Sequence, residues 1–253
     1  MIVLAAATAR EMKSIRSGLA PLAADPLPIP AQGEALAATV AERKISFLVT
    51  GVGPINAALS LGALLAGRKD VQAVVNLGVA GSFDLKTHPL ESIRVVCGEI
   101  WPEIGLATGE GVDPRGIGLA QAHTESGPVW DRLDLDPEAG ARALGAELPG
   151  EWLHTLSLSV AGVTASPGKA DGMRKRYRAG LENMEGFALA MGCLRHSLPL
   201  LEIRTVSNLV GSRPPDNWAL EGALNQLAVV TQILFSVPVG SGSAPAQETC
   251  KSS

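Results

Sequence analysis

The chain has 253 residues, of which 46% are apolar and 18% charged, with a formal net charge of −4. That length suits one large α/β domain with a sizeable core, and the lack of a basic stripe removes the electrostatic basis for nucleic-acid binding. Three cysteines, Cys97, Cys193 and Cys250, show no Cys-x-x-Cys spacing, and the first two lie in apolar runs, which reads as buried thiols in a reducing, cytoplasmic setting.

Ile2 to Ala7 is a continuous apolar run and predicts a buried strand. It lacks a basic flank and is too short for a signal peptide, and no run approaches the ~20 apolar residues of a membrane span. Thr8 is placed to cap a helix through Leu19, with Glu11 in its first turn. Four prolines mark residues 20–34 as loop. Ala35–Val40 and Ile45–Thr50 predict strands around the charged turn Ala41–Lys44. Gly51-Val52-Gly53-Pro54 then leads into a helix over Ile55–Ala66. Val71–Leu77 predicts a buried strand ending in Gly78-Val79-Ala80-Gly81-Ser82-Phe83. Ser92–Cys97 predicts another, and Trp101–Trp130 is Gly- and Pro-rich with little periodicity. The remainder predicts a helix at Pro137–Leu144, a strand at Thr155–Val163 and a basic helix at Ala170–Arg178. It closes with a helix at Leu181–His196, a strand at Pro199–Val206 and a helix at Trp218–Phe235. Beyond Gly240 the Ser, Gly and Pro content predicts a disordered tail.

Strands alternating with helices imply a mostly parallel sheet covered on both faces. Ligands in such sheets bind beyond the carboxyl ends of the strands, and the polar residues of this chain gather at those ends. Glu185 opens an apolar helix in Asn183-Met184-Glu185-Gly186. Burying a carboxylate is costly without hydrogen bonds, so Glu185 should have a partner, for which a sugar diol would serve. The plainer alternative is a charge complementing a helix N-terminus. Met184 fills either core or a sugar face. Glu11 is either a general base for water or a first-turn acid. Arg204 has a surface ion pair as its plain reading, and Asn208, in Val206-Ser207-Asn208, an Asx turn. Gly51-Val52-Gly53 and Gly78-Val79-Ala80-Gly81 do not complete a Gly-x-Gly-x-x-Gly fingerprint. Both read as tight turns that also wall a pocket. His88, His123, His154 and His196 are scattered without ligand spacing, so no metal site is expected. The absence of Gly-x-Ser-x-Gly opposes a serine hydrolase. Arg174, Lys175, Arg176 and Arg178 read as a solvated helix face.

Together, Met184-Glu185-Gly186 and Arg204-Thr205-Val206-Ser207-Asn208 resemble the nucleoside phosphorylase and nucleosidase superfamily, over roughly residues 1–235. The Asn-Met-Glu-Gly and Ser-Asn forms resemble the futalosine hydrolases of menaquinone biosynthesis within it. The resemblance implies one α/β domain over residues 1–238, with a central mixed sheet flanked by helices, and residues 239–253 as the tail. It implies a purine nucleosidase acting without cofactor, as a homodimer or higher homo-oligomer. Glu11 would activate water, Glu185 would hold the ribose 2′- and 3′-hydroxyls with Met184 on the sugar face, and Arg204 would orient the water or Glu11. Val79 and Gly81 would wall the pocket, and Ala165 and Ser166 would line the purine. Val79 stands where related phosphorylases often place a hydroxyl for phosphate, which favours water as nucleophile. Relatives acting on adenine nucleosides usually carry aspartate at the position of Asn208. The asparagine amide donates to O6 of a 6-oxopurine and accepts from a protonated N7, so hypoxanthine or guanine is expected over adenine. The alternatives are a purine nucleoside phosphorylase, a methylthioadenosine or aminofutalosine nucleosidase and, more remotely, a non-catalytic nucleoside-binding protein.

Overall fold

A computed structural model describes residues 1–109, 111–213 and 217–236. The N-terminal apolar run forms β1 (Ile2–Ala6), with every residue buried. Its side chains alternate between two cores: Ile2, Leu4 and Ala6 face one, Val3 and Ala5 the other. That is the period-2 signature of a strand covered on both faces. Thr8 caps α1 (Ala9–Leu19) reciprocally with Glu11: the Glu11 amide donates to Thr8 Oγ1, and the Thr8 amide donates to Glu11 Oε2. A short 3-10 turn, Ala20–Leu22, leads towards β2 (Ala35–Val40) and β3 (Arg43–Val49), which pair antiparallel. Gly51 and Gly53 take φ of 86° and 92° to turn the chain into α2 (Pro54–Gly67).

β4 (Ala73–Ser82) is longer than expected. The glycine-rich segment Gly78–Ser82, read as a turn, continues the strand because two neighbours supply backbone partners along it. β5 (Ile93–Ile100) likewise outlasts Cys97. The loop expected at 101–130 carries two small hairpins, β6 (Leu106–Thr108) with β7 (Gly111–Asp113) and β8 (Ala122–Thr124) with β9 (Gly127–Val129). Three-residue strands with one-sided burial at best leave no periodicity to read. β10 (Arg132–Asp134), α3 (Pro137–Leu144), β11 (His154–Ser159) and α4 (Pro167–Tyr177) follow.

The helix expected over Leu181–His196 divides. Leu181–Asn183 is a strand, β12, and α5 begins only at Gly186 and runs to Arg195. Asn183 makes the break: its Oδ1 accepts from the Glu185 and Gly186 amides, both at 2.8 Å, so its side chain holds the turn between the two elements. β13 (Leu200–Leu209) contains Ser207 and Asn208 rather than ending before them, and α6 (Leu220–Phe235) starts two residues after Trp218. The tail expected at residues 239–253 lies outside the described residues.

The strands form one mixed nine-stranded sheet, confirming the α/β class. Its parallel half runs β4-β1-β3, with β2 antiparallel at the edge. The other half closes on itself: β4 pairs β13, β13 pairs β5, β5 pairs β11, β11 pairs β12, and β12 returns to β4. Helices α1, α3 and α6 cover one face through Met12, Ile15, Leu144, Leu227 and Phe235. Helices α2 and α5 cover the other through Leu61, Leu65, Leu189 and Cys193.

Candidate active site

Four chain segments converge beside Gly78 on β4. Glu11 is 5% exposed; its Oε2 accepts from the Thr8 amide and hydroxyl at 2.9 and 2.7 Å, and its Oε1 accepts from the Val79 amide at 3.0 Å. The helix-capping reading of Glu11 therefore holds, yet the same carboxylate reaches 68 residues along the chain to β4. Glu185, at the N-cap of α5, makes no capping bond to its own helix. Its Oε1 instead accepts from the Gly53 amide at 2.9 Å, and its Oε2 lies 3.9 Å from Arg204 Nη1. Simple N-terminal charge complementation is thus not what holds it. Gly78 makes the convergence possible: a Cβ there would fall 2.9 Å from Glu11 Oε1 and hard against Arg204 Nη1.

The surface ion-pair reading of Arg204 fails, because the side chain is 1% exposed. Its Nε and Nη2 both lie 2.8 Å from Glu202 Oε1, and Nη2 also donates to Asn183 Oδ1 at 3.3 Å. Burial alone would lower the Arg204 pKa, but Glu202, Glu185, Glu99 and Glu11 around it more than offset this and keep it charged. Behind it, Glu99 accepts from Ser159 Oγ at 2.6 Å and from Asn183 Nδ2 at 2.7 Å. Burial, then the charge of Glu202, pushes the Glu99 carboxyl well above the usual range. Burial likewise raises Glu185, against the pull of Arg204 and the Gly53 amide. Glu99 and Glu202 were not singled out from the sequence. Their signal was a lone acid inside an apolar strand, in Val95-Val96-Cys97-Gly98-Glu99-Ile100 and Leu200-Leu201-Glu202-Ile203.

A second cluster lies at the far end of β4. Asn208 follows a bulge in β13 and is paired with Gly81. It sits in a strand, not an Asx turn. Asn208 Nδ2 donates to the Leu209 carbonyl at 3.1 Å and its Oδ1 accepts from Ser207 Oγ at 2.8 Å. Among the described residues, one amide N–H and one lone pair remain unclaimed. A Cβ on Gly81 would lie 3.1 Å from Asn208 Nδ2 and 2.8 Å from Val210 Cγ2, so the missing side chain lets both residues pack against β4. Ala165 and Ser166 are exposed, and Ser166 caps α4. Their loop is tied to the end of β13, with the Gly211 amide donating to the Thr164 carbonyl at 3.2 Å. Met184, half-buried, packs with Phe83, Leu158 and Val210 at this end.

Two further residues here were missed from the sequence. Glu182 is buried, accepts from the Thr164 amide at 3.0 Å, and has Oε2 buried with no hydrogen bond. Burial raises its carboxyl above the usual range, against the pull of the Thr164 hydroxyl and amide. Trp218 bridges Asn208 through the backbone, and its indole N–H is buried without a partner. Neither lies in a distinctive local pattern; tertiary pairing alone brings them to Asn208. The basic patch on α4 is solvated as expected, with exposed Arg174 facing Asp84 at 3.4 Å. Among the described residues no group of His, Cys, Asp and Glu gathers to hold a metal ion, and no helix is long and apolar enough to cross a membrane.

The chain matches known proteins over most of its length. The model of a family described as the phosphorylase superfamily matches residues 2–235. A futalosine hydrolase of Thermus thermophilus is 32% identical over 206 residues, covering 79% of this chain and 84% of that protein. A futalosine hydrolase of Acidothermus cellulolyticus is 31% identical over 250 residues, covering 96% and 94%. Among solved structures, a Helicobacter pylori methylthioadenosine nucleosidase mutant with 5′-methylthioadenosine in its active site superposes with a TM-score of 0.73. It is 17% identical and covers 93% of this chain and 97% of that one, a likeness of fold. With the match running from Ile2 to Phe235 and relatives 31–32% identical over most of its length, the chain belongs to the phosphorylase superfamily.

Proposed function

We propose that the protein is a hydrolase of N-glycosyl bonds that cleaves futalosine to hypoxanthine and dehypoxanthine futalosine, in menaquinone biosynthesis. The observation that carries this reading is the convergence of Glu11, Glu185 and Arg204 beside Gly78, with the partly unclaimed amide of Asn208 further along the same strand. The names of the two relatives point to the same substrate.

The chemistry follows from placement. Glu185 accepts hydrogen bonds from the ribose 2′- and 3′-hydroxyls and sets negative charge beside a sugar that turns cationic as the bond breaks. Met184 packs on the ribose face. Asn208 donates to O6 and accepts from a protonated N7, stabilising the departing base. Glu11 deprotonates the water that attacks the anomeric carbon. Val79 contributes its amide to Glu11 rather than a side chain to a ligand, Gly81 lets Asn208 approach the strand, and the Ala165–Ser166 loop walls the base. Arg204 holds Glu185 in place.

Water is favoured over phosphate as nucleophile. Phosphate would bring negative charge against Glu11 and Glu185, while the arginine beside them is already engaged by Glu202. The test is purine release from futalosine, inosine, aminofutalosine and methylthioadenosine, with and without phosphate, resolved by chromatography. Hypoxanthine from futalosine without phosphate is expected. Strict phosphate dependence would make the enzyme a phosphorylase, and adenine release would overturn the role of Asn208.

A homo-oligomer fits the outer face of α2, where Ile55 and Leu59 are 74% and 67% exposed, beside the Gly53 amide that holds Glu185. Sedimentation at micromolar concentration should give at least a dimer, which Leu59→Glu weakens.

A further inference from the structure

Asn208 is not the only polar group that faces the place proposed for the purine. β12 and β13 flank β4 on opposite sides, and Glu182 and Asn208 are both register partners of Gly81. Register partners project to the same face of a sheet. The three residues therefore form one cross-strand row, acid–glycine–amide. Neighbouring strands run about 4.8 Å apart, so the two functional side chains stand roughly two strand spacings apart, with Gly81 between them and the Val210 side chain packed against it.

The two ends of this row are unlike in their hydrogen bonding. Asn208 is half-buried and, among the described residues, keeps one donor and one acceptor unclaimed. Glu182 is 6% exposed; Oε1 is occupied by the Thr164 amide, while Oε2 is buried with no hydrogen bond. A buried, unsatisfied carboxylate oxygen is costly, and the positive charge of Lys169 acts on Glu182 without an ion pair among the described residues. A ligand N–H would satisfy it.

Resting on the proposed function, we infer that Glu182 is a specificity-determining residue whose Oε2 accepts the N1–H of a 6-oxopurine held over Gly81. In such a base O6 lies between N1 and N7 on one rim, so an amide at O6 and N7 leaves N1–H directed away from Asn208, towards the opposite end of the row. A 6-aminopurine presents a lone pair at N1, which would meet the lone pairs of Oε2. The row thus reads the two atoms that distinguish hypoxanthine from adenine, O6 at one end and N1–H at the other. The bond between Oε1 and the Thr164 amide fixes the carboxylate and links it to the Ala165–Ser166 loop.

Calorimetric titration of the wild-type protein with hypoxanthine, 1-methylhypoxanthine and adenine tests this without any variant. Methylation of N1 removes the donated proton and should weaken binding by about ten- to a hundredfold, the range for a hydrogen bond to a charged group. Equal binding of hypoxanthine and its 1-methyl derivative, or no binding of any base, overturns the assignment. Glu182→Gln adds a second readout. It should erase most of the discrimination between hypoxanthine and 1-methylhypoxanthine, whereas a merely structural role at Thr164 would weaken both bases alike and leave their ratio unchanged. The two levels separate cleanly. Hypoxanthine release from futalosine with no N1 discrimination leaves the proposed function standing and removes Glu182, while N1 discrimination without futalosine cleavage does the reverse.

Discussion

The two clusters along β4 are built on opposite principles. Beside Gly78, the carboxylates and the guanidinium are locked to one another and to backbone amides: Glu11 to Thr8 and Val79, Glu185 to Gly53, Arg204 to Glu202 and Asn183. Beside Gly81, Glu182 Oε2 is buried without a hydrogen bond and Asn208 uses only part of its amide, whereas the unpaired Oε2 in the first cluster belongs to Glu202, whose other oxygen already holds Arg204. The first cluster is charged and preorganised, as a site must be to meet developing charge without reorganising. The second carries uncommitted hydrogen-bonding groups, as a site must to choose between bases of nearly the same shape. Under the proposed function, chemistry and selection would be separated along a single strand.

Changes in the preorganised cluster should reduce rate or stability for every substrate, and changes in the second should alter preference. Glu11→Gln is expected to lower kcat by about 10²–10⁴, the usual contribution of a general base, with little change in KM; an intact kcat would return Glu11 to helix capping alone. Arg204→Met strips the cation from Glu202, Glu185 and Glu99, and should cost about 3–5 kcal/mol of folding stability, read from urea unfolding. A variant as stable as the parent would mean those carboxyls are neutral in the fold. Glu185→Gln should lower kcat/KM by about 1.5–3 kcal/mol, equally for 6-oxo and 6-amino nucleosides. Asn208→Asp should instead swing the preference towards 6-aminopurines by roughly ten- to thirtyfold; a uniform loss would erase the distinction between the clusters.

The smallest effect is in pH. Burial raises the Glu185 carboxyl, and in the proposed mechanism the charged form is the one that serves the ribosyl cation. The acid limb of kcat/KM should therefore open above the usual glutamate range, as protonation disarms the site. Stability runs the other way. A carboxyl raised in the folded state favours folding below its unfolded pKa, and that contribution is lost as pH rises through the folded value. Glu99, raised further by burial and Glu202, adds to the same trend. Activity and unfolding free energy measured across this window should move in opposite directions.

Much of the first cluster was legible in the sequence because its residues interrupt strong patterns. Glu11 follows a cap signal, Glu185 stands before an apolar helix, and β1 announces itself as an unbroken apolar run. The second cluster was only half legible. Asn208 is visible within a motif, but the apolar residues after Gly186 extend a helical pattern backwards over Glu182. What makes Leu181–Asn183 a strand is pairing with β4 and β11, together with the Asn183 side chain holding the turn. None of this is encoded in local periodicity. Gly78 and Gly81 similarly read, from local sequence, as glycines of a turn. Their requirement is close approach by Arg204 and Asn208 within an extended strand, which only the assembled sheet reveals.

The closed circuit of β4, β13, β5, β11 and β12 has a consequence for how the molecule comes into being. Its closure needs β13, close to the C-terminal end of the described chain, and the bonds that shape the site span 68, 127 and 132 residues. Such long-range pairing implies slow folding. During synthesis Glu11 emerges long before the partners that would make it a base, so the nascent chain carries no working half-site. Catalytic competence should arrive with the final closure, as one cooperative event rather than by instalments.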